Sequence, residues 1–422
     1  MKKIILILLS LITISCSSQI IPGAVSGSDQ HRGEGQKVYV SIPSGPTFSD
    51  SHTLINATTG DAIQSGDTGG KTQLVVGGDY PKLQLNGLTG TYYIKGTGTS
   101  DPATWPEIGG LTNDYSLSTA ASVPNVFYYN LRLKDSDNVI KFSADSPGKT
   151  QYYRTIFVRN AAFGAFIPNE SVSGKEYGNL TISFCSSKNS GGEALCYCGH
   201  TGTSLTDYVG IDSLYHSFSD SAGREGIQMN NHAHIEVFNN TAINSGQDIA
   251  NSGIGQALCA QFQGIGTGSV HHNILTSKGP LMIASTGLHI HHNFIGWTQT
   301  DRESYIQDIS ANGYHFEMAG DTLIIEDNIF YCPGYTLAWV FRLQEENCHV
   351  IIRNNIFPAS ATDVIKDERS STPYSLTITG NTFTDSPPVP TLVNHPDSRY
   401  SNYFKVVIDS YFYHLRMGAL TP

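Results

Sequence analysis

The stretch DTLIIEDNIFYCPG, residues 321–334, sets a pattern that the second half of the chain keeps rewriting. Before it come HIEVFNNTAI (234–243), SVHHNILT (269–276) and LHIHHNFIG (288–296). After it come HVIIRNNIFPAS (349–360) and SLTITGNTFTDS (375–386). Each is a short apolar-x-apolar run, then an Asn, then one or two apolar residues, then Gly, Ser, Thr or Pro. The shared residue falls at Asn240, Asn273, Asn293, Asn328, Asn355 and Asn381. A motif that returns every ~20–35 residues, one strand each time, is the signature of a β-solenoid. At one turn position per coil these Asn side chains should form a ladder, each bonding its equivalents about 4.8 Å above and below. Their role is structural.

From about residue 126 the coils become countable. One set of strands runs through VFYYNLRL (126–133), TIFVRNAAF (155–163), NLTISFC (179–185) and YVGIDSL (208–214) into the Asn series. A second set lies between: VIKFSA (139–144), EALCYC (193–198), EGIQM (225–229), ALCAQF (257–262), PLMIAS (280–285), HFEM (315–318), LAWVF (337–341) and DVIK (363–366). Two or three strands per turn, all running the same way, predict an all-β fold: a single right-handed parallel β-helix with N- and C-terminal caps. Alternation then sends Leu, Ile and Val into the bore and the residues between them outward.

Composition agrees. The 422 residues include 42 Gly and 18 Pro with only 14% charged side chains, which suits short strands and tight turns rather than helices. A net charge of −11 excludes nucleic acid as a partner, because phosphate binding needs Lys and Arg. An acidic polysaccharide remains compatible, since a basic cluster or a bound Ca²⁺ can reverse the sign locally. No other cofactor is implied.

The N-terminus reads as an export signal. Lys2 and Lys3 precede an apolar run from Ile4 to Ile14, too short to span a membrane, followed by Ser15, Cys16, Ser17 and Ser18. It resembles a bacterial lipoprotein signal with cleavage before Cys16 and a lipid on that thiol, although Thr13 stands where an aliphatic residue is usual. The expected organisation is signal peptide 1–16, flexible tether 17–37, N-terminal coils and cap 38–125, repeats 126–386 and C-terminal cap 387–422. The chain is expected outside the cytoplasm, anchored to the outer membrane or cell surface or held in the periplasm, as a monomer. Six further cysteines (Cys185, Cys196, Cys198, Cys259, Cys332 and Cys348) show no zinc spacing. They read as stacked core thiols or as one or two disulfides of unreadable connectivity.

Over roughly residues 120–415 the chain resembles the pectate-lyase-like superfamily of right-handed parallel β-helices. More narrowly, SSKNSGGEALCYCGHT (186–201) and SDSAGREGIQMNN (219–231) resemble paired coils of exported bacterial β-helix proteins. The match rests on Gly192, Glu193, Tyr197, Gly199, Gly223, Glu225, Gly226, Ile227 and Gln228, with Ala194 departing from the usual Gly. The end, DSYFYHLRMGALTP (409–422), resembles the closing motif of such proteins through Tyr413, His414, Leu415 and Gly418, with Met417 in place of Pro. It would cover the open edge of the last coil. The resemblance implies carbohydrate work, by elimination or by hydrolysis, though the superfamily also holds members without known activity.

Glu193 and Glu225 begin equivalent strands on successive coils and should stack about 4.8 Å apart. That is near the roughly 5–5.5 Å of a retaining glycosidase pair, and two carboxylates so close push one pKa up. They equally serve as caps of Gly-rich turns, and their alternation with Leu195 and Ile227 points them at the bore. Gln228, on the outward face, would bind a sugar hydroxyl. His271, His291, Glu326 and Arg353 occupy one outward column on four consecutive coils, with His289 on the same surface. This offers a base, an acid and a carboxylate binder, or else a solvated charge strip. In the superfamily's lyases the proton beside the uronate carboxylate is taken by Lys or Arg, often with Ca²⁺, which would make Arg353 the base.

The loop 296–314 is the longest insertion, and such loops tend to lie on the functional face. Trp297 and Tyr305 would stack on sugars, Asp301, Arg302 and Asp308 would supply charge beside Glu303, and Glu317 would point under the loop. His200 and Asp207 mark a second loop, 199–208. Three functions remain open: a carbohydrate-cleaving enzyme, lyase or hydrolase; a glycan-binding lipoprotein; or a structural, adhesive β-helix. Scarce clustered Lys and Arg tilt the balance toward neutral glycans or hydrolysis.

Overall fold

The computed structural model describes residues 42, 46–54, 60–110, 115–119, 125–134, 138–142, 151–159, 180–198, 211–247, 259–279, 281–285, 287–298, 304–306, 322–333, 337, 339–343, 349–368 and 375–407. Three strands make one coil. A front strand Leu288–His291 is followed by a side strand Phe294–Trp297 and a back strand Ser304–Ile306, and the next front strand is Thr322–Glu326. Each pairs in parallel with its equivalent one coil on: Ile290 with Ile325, Ile295 with Phe330, Tyr305 with Arg342. The same three rows run from Leu180–Ser183 to Thr382–Thr384. The fold is an all-β parallel β-helix, and right-handed winding is what parallel crossovers adopt almost without exception.

Alternation builds the bore. On the front row Ile182, Leu214, Val237, Val270, Ile290, Ile325 and Ile352 stack in register, all buried. Each such side chain taken out of water contributes about 1.5–3 kcal/mol. Between the front and side rows the chain turns through one left-handed residue per coil: Phe184, His216, Asn239, His272, His292, Asp327 and Asn354, with φ from 51° at His216 to 56° at His272.

The Asn ladder follows that turn. Asn240, Asn273, Asn293, Asn328 and Asn355 each donate from Nδ2 to the Oδ1 of the next Asn at 2.9–3.1 Å, ending on Asn381. The same Oδ1 atoms accept the buried backbone N–H of the preceding rung. Ser217 and Cys185 extend the series toward the N-terminus.

Earlier coils continue the helix. Ser51–Leu54, Gln73–Val76, Thr91–Gly96 and Asn125–Lys134 lie in the front row, and Ala62–Gln64, Leu83–Gly87, Tyr115–Thr119 and Asn138–Phe142 form a parallel four-stranded sheet. Cys185, Cys196, Cys259 and Cys332 are buried thiols, and burial pushes Cys259 and Cys332 up to about 12.

One expectation changes. The stretch 296–314, read as a loop, holds the back strand Ser304–Ile306 of its coil, whereas HFEM (315–318) lies outside the described residues. The segment after residue 386 is described to residue 407, and its apolar side chains pack against residues of the side row. Leu392–Asn394 and Lys405–Val407 pair antiparallel and lie along the side row. Leu392 packs on the cluster of Ile274, Phe294 and Ile329, while Tyr400 and Phe404 join Trp105 and Phe218. The Tyr400 hydroxyl donates to Ser100 O at 2.9 Å, and Ser186 Oγ to Tyr403 O at 2.7 Å. This strap explains why outward side-row residues such as Phe218, Phe294 and Ile329 are apolar: it takes them out of water. On the last coil Ile378 and Phe383 remain 40% and 43% exposed. The residues proposed to cap that coil, 409–422, lie outside the described set, as do Cys16 and the signal segment.

Candidate functional site

The front face carries the expected column. Tyr215, Phe238, His271, His291, Glu326 and Arg353 are register partners on consecutive rungs. Their rings stack almost parallel: Tyr215 on Phe238 at 4.9 Å, Phe238 on His271 at 5.2 Å and His271 on His291 at 4.9 Å between centroids. Beside it runs a second outward column of Glu236, Ser269 and His289. The two are linked across the diagonal. His289 Nε2 lies 2.7 Å from Glu326 Oε1, and Arg353 Nε pairs with Glu326 Oε2.

This linkage fixes charges. The hydrogen bond from Arg353, helped by His289, holds the Glu326 carboxyl below the usual carboxylate range against the opposing effect of its burial. An ionised carboxylate can only accept, so it is His289 Nε2 that donates in this contact. Glu326 in turn raises the Arg353 guanidinium, which favours the cation rather than the free base that the resemblance would make of Arg353. Burial lowers His271. His291 is pushed down to about 2, by burial and by the neighbouring imidazoles of His289 and His271. Its Nε2 lies 3.1 Å from Ser269 Oγ.

Glu193 and Glu225 do occupy equivalent places on successive coils, since Leu195 pairs with Ile227 and Ala194 N donates to Glu225 O at 2.9 Å. Both are buried, at 4% and 0% exposure. Arg224 Nη1 reaches Glu193 Oε1 at 2.6 Å and its Nε lies 3.7 Å from Glu225 Oε2. Burial first and Glu193 second push Glu225 up to about 8, with Arg224 opposing. The expected rise of one carboxyl is present at Glu225, on a pair that is buried.

Gln228 is also buried rather than presented to solvent. It accepts from Cys196 Sγ at 3.1 Å and faces Gln261 at 3.5 Å, and Gln261 donates to Gln263 at 2.7 Å. Trp297 is 1% exposed and belongs to the core. Parity explains it: Phe294 and Gly296 face out of that strand, Ile295 and Trp297 face in. Tyr305 is placed by its backbone in the back row, between Met282 and Arg342. Asp301, Arg302, Glu303, Asp308, Glu317, His200 and Asp207 lie outside the described residues.

Sequence reading missed Tyr215, Phe238 and Ser269 as members of this face, and the diagonal from His289 to Glu326. The parity of the Asn repeats would have found Phe238 and Ser269, whereas Tyr215 precedes a coil where Ser217 stands in the Asn position. Among the described residues, no three His, Cys, Asp or Glu side chains converge as a metal-holding group.

No protein-family model matches the chain, and no curated protein matches it. Two solved structures overlay on it. One is the tailspike protein of E. coli bacteriophage HK620 in complex with a pentasaccharide, at 9% identity and a TM-score of 0.31, covering 75% of this chain and 61% of that one. The other is the A-module of the Azotobacter vinelandii mannuronan C-5 epimerase AlgE6, at 12% identity and a TM-score of 0.31, covering 76% of this chain and 92% of that one.

Proposed function

We propose that this chain is an exported carbohydrate-active β-helix protein, held at a membrane by a lipid on Cys16, which takes a polysaccharide across its front face and cleaves it by β-elimination. A proton beside the uronate carboxyl is abstracted, its electron pair forms a C=C bond, and the glycosidic C–O bond breaks with the leaving oxygen taking up a proton. The observation that carries the reading is the relay of Arg353, Glu326 and His289 on a solvent-facing strip. A carboxylate held in its ionised form orients the His289 ring through Nε2 and leaves Nδ1 directed away from that contact, the arrangement that removal of a proton beside a carboxyl group would use.

Hydrolysis fits less well. The two glutamates of this strip, Glu236 and Glu326, stand three rungs apart, roughly 14 Å, against about 5–9.5 Å for a glycosidase pair. The pair with suitable spacing, Glu193 and Glu225, is buried. A second reading, glycan binding without catalysis, is favoured by the ring ladder from Tyr215 to His291, which offers a continuous edge along which a polymer can lie.

Affinity electrophoresis against acidic and neutral polysaccharides, with and without Ca²⁺, tests the face. The double variant Phe238→Ala/His289→Ala is expected to lose the retardation shown by the parent chain, while Lys366→Ala on the back row keeps it. Retardation indifferent to the front-face changes would refute the assignment.

A further inference from the structure

The dipeptide His-His precedes the ladder Asn twice, at 271–272 and 291–292, and the two copies fall on adjacent rungs. Neighbouring residues in a strand normally point to opposite faces. Here the second His of each pair takes the left-handed turn position, with φ of 56° at His272 and 55° at His292. The turn swings its ring back beside the first. Nδ1 of His271 therefore lies 2.7 Å from Nδ1 of His272, and Nδ1 of His291 lies 2.8 Å from Nδ1 of His292. The rings also stack between rungs, at 4.9 Å for His271 on His291 and 5.1 Å for His272 on His292.

We propose that these paired imidazoles form a chelating site for a borderline divalent transition metal such as Zn²⁺, Ni²⁺ or Cu²⁺. Two facing ring nitrogens at such a distance share one proton, and a metal ion bound to both displaces it and sits to one side of the line between them. Imidazole nitrogens bound to one zinc at about 2.0–2.1 Å stand about 2.9–3.4 Å apart, so each pair needs to open by only a few tenths of an ångström. Imidazole donors choose these metals over Ca²⁺ or Mg²⁺.

The two pairs compete. An ion midway between rungs would lie about 2.8 Å from all four nitrogens, too far for coordination at the usual distance of about 2.0–2.1 Å. Each pair thus holds an ion by two nitrogens, leaving its other positions to water or to oxygen atoms of a bound ligand. Two dications on adjacent rungs, about 4.8 Å apart, repel strongly. One ion per chain is the expected stoichiometry.

Equivalent turn positions carry Phe184, His216, Asn239, Asp327, Asn354 and Gly380. His272 and His292 hold the same backbone conformation with a side chain that can ligate.

The test uses the untagged chain, stripped with a chelator and dialysed against Zn²⁺ or Ni²⁺ alone, with bound metal counted by elemental analysis. The double variant His272→Asn/His292→Asn keeps a turn residue already used on neighbouring rungs, and its circular dichroism and melting curve check that it folds. About one equivalent is expected on the parent, with affinity falling about tenfold or more in the variant. Cu²⁺ loaded on the parent should show a spin-resonance pattern of two equatorial nitrogens, lost in the variant. Equal metal on parent and folded variant, or none on either, overturns the proposal. The readout involves no polysaccharide, so it stands or falls apart from the function proposed above.

Discussion

His289 and Glu326, 37 residues apart in sequence, meet at 2.7 Å because they sit on adjacent rungs in neighbouring outward columns. The rung spacing brings them together, and Arg353 on the following rung completes the line. If this relay moves the proton, His289→Ala should lower turnover by about 10²–10⁴-fold while leaving the melting temperature nearly unchanged. Glu326→Gln should weaken turnover less than His289→Ala, because it disorients the imidazole without removing it. Steady-state kinetics of the two variants on one substrate, with melting curves, check the order.

The ladder should be costly to break in its middle. Asn293 accepts from the backbone N–H and the side chain of Asn273, and donates to Val270 O, His291 O and Asn328. Asn293→Ala strands buried donors and acceptors on both sides, so a loss of about 3 kcal/mol or more is expected in urea unfolding. Asn381→Ala, at the exposed end, should cost clearly less.

Glu225 gives a pH signature. Burial, and after it the neighbouring Glu193, push its carboxyl in the folded chain up to about 8, above the ordinary 4.5. Between these values the native state binds a proton that the unfolded chain has released. Its contribution is therefore fully present below about 4.5 and is lost as pH rises toward about 8, at up to about 1.4 kcal/mol per pH unit. Glu225→Gln should flatten the fall of stability over that window, as read by unfolding midpoints at a series of pH values.

The C-terminal strap should be separable from the helix. Phe404→Ala removes a ring buried against Trp105, Phe218 and Tyr400, at an expected cost of about 3 kcal/mol. Limited proteolysis should then cut first within 387–407 while the coils resist. Cleavage inside the repeats before the strap would contradict its placement.

Much of this fold was legible because a solenoid repeats its register. Once Asn240 to Asn381 are aligned, side-chain parity places His271, His291, Glu326 and Arg353 in one column, and the structure shows that column. Parity also answers for Trp297, which shares the inward set with Ile295. What parity cannot report is a covering layer. Gln228 points away from the bore yet is buried, and Phe218 and Phe294 are outward yet covered by the strap. The strap joins residues about 300 positions apart, as Tyr400 to Ser100, and no local pattern encodes that. Charge state was equally hidden: Arg353 reads as a candidate base until Glu326 is found on it.

The most direct measurement of the central claim is incubation of the soluble chain with acidic and neutral polysaccharides, with and without Ca²⁺, following new reducing ends and the ultraviolet absorbance of an unsaturated uronate together. Proton abstraction at the front face predicts that both signals rise in step and that both vanish in His289→Ala. Reducing ends without absorbance, or both signals surviving in His289→Ala, would contradict it.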